Sequence, residues 1–214
     1  MRGNSRFDIH LNYLSENFSA LRKLAPSNEV IFMVKANAYG HGLLDIVSYA
    51  YNELNITKFG LAALGEAVLI RKRLPELKAE LYVFSDNEIQ NKNSNHAYTE
   101  LNIIPIISNM SDLEFVLENQ DFSRLPLFIK FDTGMNRLGI KSSECDKLIQ
   151  SLKKSKRDSI EHVLTHYASS YIPLKENDRT HKQYEKFKAI LRDLKSGGIK
   201  AVSYTHLRAH ETRH

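Results

Sequence analysis

The amino-acid sequence predicts an α/β fold, specifically an incomplete (β/α)8 TIM barrel with about six strand–helix units in its 214 residues. Three observations predict it. Short β-branched or apolar runs alternate six times with amphipathic helical stretches, which points to a parallel sheet with right-handed crossovers. No G-x-G-x-x-G turn follows the first strand, as a doubly wound nucleotide-binding sheet would carry. The residues best able to do chemistry, Lys35, Arg137 and His166, fall at predicted strand ends, where barrels collect their active groups.

The elements follow in order. Leu11, Leu14, Phe18 and Leu21 share one stripe at three-to-four spacing and predict an opening helix. Val30–Val34 is an apolar run of strand length that ends at Lys35, and Leu43 to Tyr51 restores a helical period. Lys58–Ala63 is the second strand, and Glu66–Arg73 a helix stopped before Pro75. Leu81–Phe84, Ile103–Ile107 and Leu125–Phe131 are the next strands, with a helix beginning at Ser111–Leu117 and another over Cys145–Leu152. His162–His166 is the sixth strand, and Arg179–Leu194 is a long amphipathic helix ended by Gly197 and Gly198.

A seventh strand could begin at Ile199–Val202, but Tyr204 to His214 is almost free of apolar residues and breaks the pattern. His206, His210 and His214 share a helical face, yet a terminus offers no groups to orient three imidazoles around a metal, and none is expected. Ser203–Thr212 resembles the translation of a sequencing adaptor. The expected organisation is therefore a partial barrel domain over residues 1–200 and a non-native, adaptor-derived tail over residues 201–214.

Composition excludes several classes. The apolar fraction of 42% and charged fraction of 26% are those of an ordinary soluble protein. No apolar run approaches membrane-spanning length, and Met1–Ile9 lacks a secretion signal. Cys145 is the only cysteine, so no internal disulfide forms and a reducing cytoplasm fits. The formal net charge is +5, and the densest basic run, Lys153, Lys154, Lys156 and Arg157, lacks the interleaved aromatics of a nucleic-acid patch. That run is read as a solvated helix end complementing the helix dipole.

Three segments carry chemistry. In Val34-Lys35-Ala36-Asn37-Ala38-Tyr39-Gly40-His41-Gly42, alternation sets Ile31, Met33 and Lys35 on one side of a strand, aiming Lys35 into the barrel mouth. Desolvation there lowers an amine's pKa, as a Schiff-base lysine needs. In Lys130-Phe131-Asp132-Thr133-Gly134-Met135-Asn136-Arg137-Leu138-Gly139, alternation sets Phe128, Lys130 and Asp132 on one face. A buried Lys–Asp pair that neutralises itself is the plain structural alternative. Leu164-Thr165-His166-Tyr167-Ala168-Ser169-Ser170 places a histidine at a strand end.

These three segments resemble the signature motifs of the alanine racemase family, over roughly residues 6 to 200. The resemblance implies pyridoxal 5'-phosphate as cofactor, joined to Lys35 as a Schiff base, with Tyr39 on its phosphate and His166 beside its ring. It implies that Arg137 faces the substrate carboxylate and the cofactor's phenolic oxygen, and that Lys130 is carbamylated and orients Arg137. Ser170 stands where many relatives have an acidic residue.

The activity so implied is interconversion of L- and D-alanine, supplying D-alanine for peptidoglycan, by a homodimer with a shared active site. Lys35 would serve one face of the substrate, and a tyrosine from the partner subunit's C-terminal domain the other. That domain and two strands would lie beyond this chain, leaving open sheet edges, so the 214 residues alone are expected to be poorly soluble and inactive. A broader, serine-type racemase and a non-catalytic cofactor-binding barrel are the alternatives. Neither nucleic acid nor membrane is an expected partner.

Overall fold

The computed structural model describes residues 8–169 and 178–208, with side chains through Ser203. Ser170, His210, His214 and the side chain of His206 lie outside the described residues. The chain divides into two compact units, one of residues up to Asp86 with Leu101–Ile103, the other of Asn87–Glu100 with Ile104 onward.

In the first unit, helix α1 (Leu11–Leu24) precedes β1 (Phe32–Met33), α2 (Leu43–Leu54), β2 (Lys58–Ala63), α3 (Leu64–Arg73) and β3 (Glu80–Asp86). The strands lie in chain order and run parallel, with Phe32 opposite Phe59 and Phe59 opposite Leu81. The core is Val34, Val47, Ala50, Phe59, Leu61, Ala67, Ile70, Leu81 and Val83, all removed from water. Full burial of each larger side chain contributes about 1.5–3 kcal/mol.

The expected stripe on α1 is only half-covered, and none of its residues is fully buried. Arg71 on α3 is a staple that no periodicity reveals. Its guanidinium donates to the carbonyls of Leu101, Leu77, Ala79 and Asn102 at 2.8, 3.1, 2.8 and 3.0 Å. Burial lowers its pKa from the ordinary arginine value.

In the second unit the order is α4 (Ala97–Glu100), β4 (Ile103–Ile107, from Ile104 onward), α5 (Met110–Glu118), β5 (Phe128–Asp132), β6 (Ile140–Lys141), α6 (Cys145–Lys154), β7 (Ser159–Tyr167), α7 (Arg179–Ser196) and β8 (Lys200–Arg208). Strands β4, β5, β7 and β8 are parallel neighbours in that order, and β6 hangs from the end of β5. Sequential order without reversal, joined by helical crossovers, is the barrel pattern and not the doubly wound one. Ile129, Phe131, Val163, Leu148, Leu152, Phe187 and Leu194 form the core.

Three local expectations change. The fifth strand starts at Phe128 and runs to Asp132, and the run from Leu125 to Leu127 is loop. Strand β8 continues to Arg208, paired with β7 up to Tyr167 opposite Arg208, where the side-chain pattern suggested no strand. The open edge of β7 offers a row of backbone N–H and C=O groups, which pair with a neighbour whatever its side chains. In the basic run, Lys153 and Lys154 close α6 as expected. Arg157 instead turns inward, its guanidinium donating to the carbonyls of Phe122 (3.3 Å) and Leu125 (2.5 Å).

Candidate active site

The first unit carries Lys35 and Tyr39. Strand β1 stops at Met33, and Val34 leaves extended conformation with ψ 22°. Ala36, Asn37, Ala38 and Tyr39 then take φ values of 52°, 56°, 52° and 54°. This is a left-handed turn built from four consecutive residues with side chains. Each such residue costs roughly 1–2 kcal/mol, so the turn persists only where its surroundings over-determine it.

Those surroundings are specific. The Asn37 side-chain oxygen accepts from the Leu43 amide at 2.8 Å. The Glu66 carboxylate accepts from the amides of Asn37 at 3.2 Å and Ala62 at 2.9 Å, joining the turn to the start of α3. His41 Nδ1 lies 2.8 Å from the Ala38 carbonyl. Gly40 and Gly42, at φ 86° and 93°, return the chain to α2.

The presentation of Lys35 is therefore set by the turn and not by strand alternation, which ends two residues earlier. Lys35 is half-buried, and its Nζ lies 5.8 Å from the Tyr39 ring centroid. Tyr39 remains 57% exposed, and partial burial pushes its phenol above the ordinary 10.0. Near neutral pH it is an O–H donor.

The second unit carries Lys130, Arg137 and His166. The register sets Phe128 opposite His162 and Lys130 opposite Leu164, so Phe128, Lys130 and Asp132 share a face with His162, Leu164 and His166. Phe128 stacks on His162 with centroids 5.5 Å apart. Lys130 is buried at 5% exposure, and His166 is half-buried in the last turn of strand before Tyr167.

Arg137 lies beyond the strand end, exposed in the loop between β5 and β6. Asp132 shapes that loop, one carboxylate oxygen accepting from the amides of Gly134, Met135 and Asn136 at 2.9, 2.9 and 3.1 Å. Gly139 closes it at φ 138°, so near the strand that an added Cβ would meet the Asp132 nitrogen at 2.4 Å.

Sequence reasoning did not identify Glu66, Asn37, Thr133, Thr165 or Gln183. The hydroxyls of Thr133 and Thr165 are 2.8 Å apart and buried, and Gln183 on α7 bonds to both surrounding segments. One signal was available. Gln183 sits on the apolar stripe of α7 with Thr180, Phe187, Ile190 and Leu194, where an amide needs a reason. Glu66 has no comparable sequence signature, because its partners are backbone amides.

A family model described as alanine racemase, N-terminal domain, matches residues 9–210. The alanine racemase of Borreliella burgdorferi strain ZS7 is 29% identical over 204 residues, covering 93% of this chain and 51% of the relative. That of Thermodesulfovibrio yellowstonii is 31% identical over 209 residues, covering 92% and 53%. The crystal structure of alanine racemase from Bartonella henselae with covalently bound pyridoxal phosphate superposes with a TM-score of 0.76 at 23% identity, covering 92% of this chain and 55% of that one. The fold is thus that of an incomplete TIM barrel, and the chain spans about half the length of the curated relatives it matches.

Proposed function

The chain belongs to the alanine racemase N-terminal domain family, and from that premise we propose that the protein it comes from interconverts L- and D-alanine with pyridoxal 5'-phosphate. The observation that carries the proposal is the left-handed turn that sets the Lys35 amine beside the Tyr39 phenol. Their donor chemistry fits the cofactor. A primary amine suits its aldehyde, and a phenol, which is an O–H donor near neutral pH, suits a phosphate oxygen.

Bound there, the cofactor supplies an electron sink that makes the substrate's α-proton labile. Lys35 would hold it covalently and, once displaced by the substrate amine, take or return that proton on one face. His166 would lie beside the ring. Arg137 has the planar fork that grips a carboxylate and would also face the cofactor's phenolic oxygen. Lys130, buried at 5% exposure, is the candidate for carbamylation, which would turn a cation into an anion able to orient Arg137.

The second face falls, by family resemblance, to a tyrosine of a partner subunit in a homodimer. We assign the activity, and the supply of D-alanine for peptidoglycan in the cytoplasm, to the longer protein. The 214 residues alone are expected to be inactive.

Adding pyridoxal phosphate to the chain should produce a visible absorbance band that borohydride abolishes, leaving the reduced adduct on the peptide containing Lys35. K35R should show no band. A band that survives K35R, or none in the protein from the complete gene, would reject the cofactor assignment. Racemisation of alanine by the protein from the complete gene separates an enzyme from a cofactor carrier.

A further inference from the structure

We propose that Gln183 is a positioning residue that locks the end of β7, which carries His166, to the loop after β5, which carries Arg137. The roles of those two residues rest on the racemase reading above. The lock itself rests on geometry within one unit.

Gln183 is 1% exposed on the inward stripe of α7, between Thr180 and Phe187. Burying an amide there costs free energy unless its donors and acceptor are used. They are used on both segments. Nε2 donates to the His166 carbonyl at 3.1 Å and to the Thr133 hydroxyl at 3.4 Å. Oε1 accepts from the Ala168 amide at 3.0 Å.

The chain of donors continues in one direction. Thr165 Oγ1 donates to the Phe131 carbonyl at 2.9 Å, so the Thr133 hydroxyl, 2.8 Å away, must donate to Thr165. Thr133 then needs a donor from outside, which the Gln183 amide nitrogen provides. Gly134, at φ 137°, faces this side chain: an added Cβ would sit in ordinary contact with Gln183 Cγ, at 3.4 Å. Arg179, one turn earlier on α7, donates to the Gly134 carbonyl at 3.1 Å. Helix α7 thus holds both segments from its first two turns.

A neutral amide is what the arrangement demands. Glutamate has nearly the same shape but brings an anionic acceptor against the His166 carbonyl and removes the donor to Thr133. Leucine keeps the volume and removes every bond.

The test compares Q183E and Q183L with the unaltered chain by amide hydrogen exchange and by the visible circular dichroism of the pyridoxal phosphate complex. Exchange at Ala168 and at Met135 to Arg137 should quicken at least about fivefold, while Ile106 and Leu152 keep their protection. The visible dichroism should change in amplitude or sign while the absorbance band persists. T133V, which breaks the donor chain from its other end, should reproduce the loop effect and decides the question if both position-183 variants fail to fold.

Unchanged exchange, or equal acceleration everywhere, would overturn the lock and make Gln183 mere core filling. Local acceleration with unchanged dichroism would overturn its reach to the cofactor. Local acceleration, with no visible band even in the protein from the complete gene, would reject the racemase reading while upholding the lock.

Discussion

Replacing Glu66 with alanine removes the one carboxylate that ties the left-handed turn to α3. Two of its bonds have good geometry, to Ala62 at 2.9 Å and Asn37 at 3.2 Å, and a third to Ala63 at 3.4 Å shares an oxygen with the first. Hydrogen bonds to charged groups contribute about 1.5–3 kcal/mol each, and water replaces part of this for the exposed Asn37 amide. The expected loss is about 2 kcal/mol, a sizeable share of the 5–15 kcal/mol of a typical domain.

The local effect should exceed the global one. Four left-handed residues together store roughly 4 kcal/mol or more, and Glu66 is among the few groups opposing their relaxation. Urea unfolding reads the first effect, and amide exchange at Asn37 to Gly40 reads the second. E66Q retains one acceptor and should fall between. If E66A unfolds within about 0.5 kcal/mol of the unaltered chain and the turn amides exchange at the same rate, the account of the turn is wrong.

Further outcomes are expected. R71K keeps the charge but cannot fork to four carbonyls, and should lower stability by about 2–4 kcal/mol in denaturant titration. Equal midpoints for the two proteins would rule out the staple. G139A drives a Cβ into the backbone of Asp132 at 2.4 Å and should unfold the loop or the unit. G60A meets the mobile end of Met33 at 2.3 Å and should be rescued in part by M33A, whereas no side-chain change should rescue G139A.

The Cys145 thiol is pushed up to about 11, by burial first and then by Asp193 and Asp146. An ordinary thiol ionises near 9.0, so the stabilisation from keeping it neutral is complete below that value and is lost as pH rises through about 11. Thiol-reagent labelling of the native chain should stay slow at pH 9. Rapid labelling there would contradict the burial.

Much of the architecture was legible because it depends on local pattern. Periods of two and of three-to-four residues placed β2, β4, α3, α6 and α7 with small boundary shifts. Lys35, Arg137 and His166 could be singled out because unusual residues stood at the ends of apolar runs, and Lys130 through the motif that resembles the family's. The pattern was misleading where burial did not follow it. The α1 stripe is apolar but only half-covered, and β8 pairs through its backbone ladder, with the Ser203 hydroxyl adding a bond to the Glu161 carbonyl. Gln183 was visible as an amide out of place on a helix stripe, but its partners lie 15, 17 and 50 residues away in sequence.

The sequence by itself determined most of the strands and helices, and which side chains have chemistry to offer, since both follow from neighbours within a few positions. Tertiary structure alone decided how those side chains are held. The handedness of the turn at Ala36–Tyr39, the anchoring of that turn by Glu66 and the inward course of Arg157 all depend on backbone amides and carbonyls brought in from distant elements. Every residue carries those groups alike, so no residue type announces which of them a folded chain will bring within reach.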